Sequence, residues 1–199
     1  MNLRMIVPVE IAVIALLGAG YYGYHAVQDS QVPQEPPKTA SSRTPSAEPR
    51  PVPTVDTTRL VSKKGGFAVG VPKNVKGRKI GLGVTMTTAD QVLSVVVAPV
   101  ESGTISASSA AFLRGMKKAY TKVRVVRSEE HMIDGHLAKA TYGRARNANK
   151  VQITFVNVVF KAEPRNFAIN AFAAADSDPT FIVPRVNAII HSFEVIEQP

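Results

Sequence analysis

"RVVRSEEHMIDGHLAKATYGRARNANKVQITFVNVVF", Arg124 to Phe160, decides the fold. It contains three runs of strand character separated by two turn signals. Arg124 to Ile133 reads as a strand. Asp134-Gly135 then supplies the positive φ that a tight hairpin needs. His136 to Arg144 pairs back. A second turn, "RNANK" at Arg146 to Lys150, leads into Val151 to Phe160, a run rich in β-branched residues. Strands joined by short hairpins build an antiparallel sheet, because a parallel pair needs a crossover of a dozen residues or more.

The flanks extend the pattern. Downstream, Pro164-Arg165-Asn166 turns the chain into a strand over Asn166 to Ala173. Asp178-Pro179 opens a helix, with Asp178 as N-cap and Pro179 where its missing donor costs nothing. Ile182, Val186, Ile189 and Ile190 face the core, Pro184 falls in the first turns, and Phe193 to Ile196 closes as a short strand. Upstream, "TISASSAAFLRGMKKAYTKV", Thr104 to Val123, reads as a helix capped by Ser106 or Ser108. Phe112, Leu113, Met116, Ala119, Tyr120 and Val123 recur at helical spacing as its core face. Before it come strands at Gly66 to Val71, closed by Pro72, at Ile80 to Thr87 and at Gln91 to Val100. Ile80, Leu82, Val84 and Met86 share one face, and Asn74 to Lys79, "NVKGRK", reads as basic turn material. The order β-β-β-α-β-β-β-β-α-β predicts an α+β fold, an antiparallel sheet flanked by two helices.

The N-terminus is of another kind. Gly18-Ala19-Gly20-Tyr21-Tyr22-Gly23 matches a dinucleotide-binding fingerprint by letter. That fingerprint requires a helix after the glycines. Gln28 to Val55 follows instead, with half of the chain's 14 prolines and no helical period. The context excludes a nucleotide site. Met5 to Val27 instead offers 23 residues with one charge, Glu10. That is long enough to span a hydrocarbon core of about 30 Å. Tyr21, Tyr22 and Tyr24 suit an interfacial belt, and Gly20 and Gly23 a close-packing helix face. Glu10 is an intramembrane candidate, or a hydrated carboxylate near the headgroups. Arg4 precedes the span and Lys38 is the first basic residue after it, which predicts a cytoplasmic N-terminus and an exported remainder. The chain therefore divides into a tip and anchor at 1–27, a Pro-rich linker at 28–57 and a folded domain at 58–199.

Composition narrows the function. The chain has no cysteine, which excludes disulfides, zinc–thiolate sites, thiol catalysis and a lipid-anchored cysteine. Removing an anchor of net zero and a linker of net −1 from the formal +9 leaves +10 for the residues from Thr57 on. A basic exported domain expects acidic partners: anionic lipid, wall polymer or an acidic protein, with nucleic acid not expected in that compartment. Arg114, Lys118 and Lys122 recur every four residues, with Lys117 beside them and Arg124 and Arg127 following. No acidic residue lies between Thr104 and Ser128. These six form the candidate anionic-partner surface.

Catalytic signals are weak. Glu129, Glu130, His131, Asp134 and His136 have metal-ligand chemistry but straddle a hairpin, where alternation aims neighbours at opposite faces. His191-Ser192 lacks an acid partner and a nucleophile elbow, so Ser192 reads as part of a helix end. No cofactor site is expected.

"GGFAVGVPKN", the Asp134-Gly135 hairpin after the first helix, the long meander and "VNAIIHSFEV" together resemble the PsbP-like fold family, α/β/α sandwiches. The group includes PsbP, the extrinsic subunit of photosystem II, and bacterial envelope members such as LpqN and DcrB. The similarity runs from about Val61 to Glu197. This chain differs in having no Trp after the Val-Pro and no lipoprotein cysteine. The resemblance implies a non-enzymatic binding or accessory module in a bacterial envelope.

Gly18-Ala19-Gly20 also fits a small-residue cleavage site after a short apolar region. Sequencing the N-terminus of the mature protein separates the two readings. An anchor keeps the segment before Gly20, whereas Tyr21 as the first residue identifies a cleaved signal peptide.

Overall fold

The computed structural model describes residues 55–100, 103–133, 135–163 and 165–196. The expected membrane span, with Glu10, Gly20 and Gly23, and nearly all of the linker lie outside the described residues. No helix among the described residues is long and apolar enough to cross a membrane.

The described residues form ten strands and two helices, in order: β1 (Thr57–Ser62), β2 (Phe67–Pro72), β3 (Val75–Ile80), β4 (Gly83–Thr88), β5 (Leu93–Val100), α1 (Ile105–Ala119), β6 (Thr121–Ile133), β7 (His136–Arg146), β8 (Gln152–Phe160), β9 (Asn166–Ala174), α2 (Pro179–His191) and β10 (Glu194–Val195). Seven strands form one sheet in the order β3-β4-β5-β9-β8-β7-β6, and β1-β2-β10 form a second. Every strand pairing is antiparallel. The α+β expectation holds, with two sheets in place of one.

Two strands escaped the sequence reading. β1 has no apolar run, and β3 is the stretch taken for a basic turn. Both are edge strands, and β3 keeps Lys76, Arg78 and Lys79 exposed. Charges on an edge prevent pairing with other chains, so they argue poorly against a strand. Ile80 pairs with Gly83, which makes Gly81-Leu82 a hairpin tip and leaves Leu82 exposed. Val84 and Met86 point into the core as expected. The predicted hairpin joins β6 to β7: Ile133 pairs with His136, and Gly135 has φ 82°.

The large sheet is covered on both sides. On one face, α2 and the small sheet pack onto a core that includes Phe67, Val69, Met86, Leu93, Val95, Phe160, Phe167, Ile169 and Ile189. Phe193 is its hub, with its ring 4.9 Å from Phe160, 5.2 Å from Phe167 and 6.0 Å from Phe67. Val186, Ile189 and Ile190 of α2 are buried as predicted. On the other face, α1 seals Met116 and Tyr120, with Phe112 and Leu113 beside them, over Val96, Ile153, Phe155 and Phe172. Burial raises the Tyr120 pKa, and its ring stacks on Phe172.

A polar row crosses the sheet beneath α1. Ser128, Thr141, Asn157 and Asn170 are successive cross-strand partners on β6, β7, β8 and β9. The Thr141 hydroxyl lies 3.0 Å from Ser128 Oγ and 3.1 Å from Ser109 Oγ of α1. Asn157 Nδ2 donates to Asn170 Oδ1 at 2.7 Å. The row separates the aromatic cluster from a smaller one of Ile105, Val159 and Ala168 under the start of α1.

The helix ends are held by local polar groups. The N-cap of α1 is Thr104, whose hydroxyl accepts from Ala107 N at 3.0 Å; Ser106 and Ser108, the residues expected there, lie inside the helix. Asp178 caps α2 as predicted. Hydrogen bonds from the Thr180 side chain, then from its backbone, lower the Asp178 pKa. A lowered folded-state pKa gives stability that is complete above the ordinary carboxylate range and lost as pH falls through the folded value, below about pH 4. Ser192 closes α2: its Oγ donates to Ile189 O at 3.0 Å and accepts from Gly70 N at 2.8 Å. The serine beside His191 is part of the helix end, as expected, and it also ties that end to β2.

Phe193→Ala should lower unfolding free energy by about 3–5 kcal/mol, since it empties an aromatic-sized volume between Phe67, Phe160 and Phe167. Urea denaturation followed by far-UV circular dichroism measures it.

Candidate functional site

The six basic residues expected to share one surface divide between two. Arg114, Lys117 and Lys118 are exposed on the outer side of α1. Lys117 and Lys118 lie in its last turn, where cations also complement the helix dipole. The helix ends at Ala119, so Lys122 does not continue that face. It sits at the start of β6 with φ 51°, beside an irregularity in the register between Thr121 and Arg124. The four-residue spacing to Lys122 was read through a helix that has already stopped, and this corrects the predicted arrangement.

Arg124 and Arg127 turn to the opposite side of the sheet. Their cross-strand partners on β7 are Arg144 and Tyr142. Tyr142 packs against the core beneath α2, whereas Ser128 and Glu130 face α1. Cross-strand partners and i, i+2 neighbours share a face. Arg124, Arg127, Tyr142, Arg144 and Arg146 are therefore one group on the face turned away from α1. Arg127 lies over the Tyr142 ring at 4.5 Å. Its ion pair to Glu129, at 3.3 Å, is exposed and correspondingly weak. Among the described residues, Arg124, Arg144 and Arg146 make no ion pair.

Gly143 brings β6 close. A Cβ there would meet the Phe155 ring and lie 2.6 Å from the Arg124 carbonyl. At the end of the arginine group is an open hollow of about 380 Å³, lined by Arg144, Val151, Gln152, Thr154, Ala175 and Asp176. Tyr142, Arg144 and Arg146 were missed in the sequence. Their signal is the two-residue period of "YGRAR", which puts the three on one side of a strand.

The hairpin cluster resolves into surface pairs. Glu130 lies 3.3 Å from Lys139 Nζ, which also donates to Ser106 Oγ at 3.0 Å. Asp134 is outside the described residues. Among the described residues no three His, Asp or Glu side chains gather as a metal site. Asp90 has its pKa lowered by hydrogen bonds from the Thr88 side chain and the Val92 backbone; it organises the turn before β5.

No family model matches this chain, and no curated protein matches it in sequence. Solved structures match its fold. The solution structure of cyanobacterial PsbP from Synechocystis sp. PCC 6803 superposes with a TM-score of 0.55 at 14% identity, covering 75% of this chain and 98% of that one. The Saccharomyces cerevisiae Ran-binding protein Mog1p gives 0.52 at 8%, covering 72% and 97%. LpqN of Mycobacterium tuberculosis, involved in cell envelope biogenesis, gives 0.50 at 14%, covering 72% and 92%. The domain has the PsbP-like fold, as its motifs suggested.

Gly143→Ala should cost about 1–3 kcal/mol, because the new methyl must displace Phe155 or push back the β6 backbone. Thermal denaturation measures the loss.

Proposed function

We propose that this chain is a membrane-anchored, extracytoplasmic interaction module without catalytic activity, serving as an accessory or assembly subunit of a bacterial membrane complex. The observation that carries the reading is a PsbP-like sandwich of strongly basic charge. Its structural neighbours include a Ran-binding protein and an envelope-biogenesis protein, neither of them named for a reaction. The apolar span, the basic residue before it and the Pro-rich tether after it support an N-in anchor with the domain held some distance from the bilayer. The partner is then another membrane or envelope protein.

A second reading has its own observation. Arg114, Lys117 and Lys118 are exposed side by side on α1 and make no ion pair among the described residues. That face suits anionic lipid or an acidic wall polymer.

Purification from membranes in mild detergent tests the first reading. A stoichiometric envelope protein should accompany the chain, and recovery as a lone monomer counts against it. Salt-sensitive vesicle binding abolished by Arg114→Glu/Lys118→Glu supports the second reading; unchanged binding rejects it.

A further inference from the structure

Arg124 and Arg144 are directly opposed across β6 and β7. Like charges in that position destabilise a sheet. Edge protection accounts for a basic residue on β6, the outermost strand. It does not account for Arg144 or Arg146, because β7 is paired on both sides. With Arg127 resting on Tyr142, the group puts four guanidinium ions on one face, and Glu129 is the one acid paired to any of them among the described residues.

The spacing narrows the ligand. Same-face residues on a strand repeat at about 6.8 Å, and adjacent strands lie about 4.8 Å apart. Arg144 and Arg146 thus present charge at the repeat with which an extended peptide presents alternate side chains. Guanidinium forks match carboxylates in bidentate geometry. The hollow beside Arg144 is open and has room for a side chain of a bound segment, with Gln152 and Thr154 as polar lining. A flat bilayer surface would leave it unfilled. Asp176, in the same hollow, repels a carboxylate and marks where the acidic stretch must end.

We propose that Arg124, Arg127, Arg144 and Arg146, with Tyr142, form a docking site for an extended acidic segment of a partner protein. This rests on the interaction-module reading and goes beyond it by naming the surface and the chemistry of the partner. The sheet face, not the helix face, carries the contact.

Two fluorescent peptides of about ten residues test it, both half Glu and half Thr, one alternating and one with the Glu in a block. Anisotropy with the full chain in detergent should show the alternating peptide binding about fivefold tighter or better. Arg124→Ser/Arg144→Ser should weaken it by roughly tenfold or more. Lys117→Ser/Lys118→Ser should change it by less than about twofold. Without peptide, Arg144→Ser should be at least as stable as the parent, since it relieves a like-charge pair.

Equal affinity for the two peptides overturns the proposal, as does full binding by the arginine double variant. Short-chain polyphosphate that displaces the peptide at about one-tenth the charge concentration also overturns it, assigning the surface to a phosphate polymer. Failure here with a partner recovered from membranes removes the site and leaves the module. Peptide binding with no partner recovered does the reverse.

Discussion

A strand that is apolar on both faces must be covered twice, and β5, β8 and β9 are such strands. Val95 and Val97 of β5 point toward α2, and Val96 points toward α1. In β9, Phe167, Ile169 and Ala171 face α2, while Ala168 and Phe172 face the other way. The rest of the molecule answers that demand. α1 caps one face. On the second face α2 shares the cover with the small sheet. β10 follows α2 closely enough to pair with β2, so the end of the chain locks the beginning of the domain in place. Phe193 sits at that junction, which is why its ring meets aromatic residues from β2, β8 and β9.

Apolar packing alone would leave α1 free to slide. The row from Ser128 to Asn170 limits this. Ser109 is buried and reaches Thr141, and a shift of α1 by one turn would strand the Ser109 hydroxyl in an apolar layer, while Thr141 keeps Ser128. Leaving a buried polar group unpaired costs about 1–3 kcal/mol, more than the bond contributes when made. The row therefore acts mainly by penalising the wrong registers. The Asn157–Asn170 bond does the same between β8 and β9, whose side chains are otherwise interchangeable apolar shapes.

The parts of this fold legible in the sequence are those decided locally. Asp178-Pro179 marks a helix start by dihedral and donor chemistry, and Asp134-Gly135 marks a hairpin the same way. β3 was illegible because an edge strand is held by one neighbour and needs no apolar run. The end of α1 was misread for another reason. Tyr120 and Val123 keep helical spacing, and both pack on the aromatic cluster under α1, yet the helix has already ended at Ala119. β6 begins at Thr121 with no loop between them. The chain turns from helix to strand while still pointing the same side chains at the same cluster. That substitution of period hid the division of the basic residues. At a period of 3.6, Lys122 belongs with Arg114 and Lys118; once the period is 2, Arg124 falls on the far side of the sheet, and the register shift between Val125 and Arg127 brings Arg127 to the same side.

The openness of the arginine face follows from the dimensions of the covers. Seven strands at about 4.8 Å make a sheet about 30 Å wide. A helix of about 10 Å diameter beside three short strands covers roughly two-thirds of that width. α2 and the small sheet lie over the β3 to β9 side, and the core beneath them reaches β7 at Ala138 and Ala140, with Tyr142 half-buried at its margin. α1 lies over β6, β7 and β8 on the other face. The two covers are offset, and the far end of β7 is covered from one side alone. Arg144 and Arg146 occupy the uncovered side at that end, beyond the half-buried Tyr142, while Thr141, Gly143 and Ala145 occupy the covered one. An exposed strand face needs polar residues, but it needs no particular sign of charge. Mixed signs would serve solubility better than arginine opposite arginine. The offset of the covers explains why this face is polar; its excess of arginine is left for a ligand to explain.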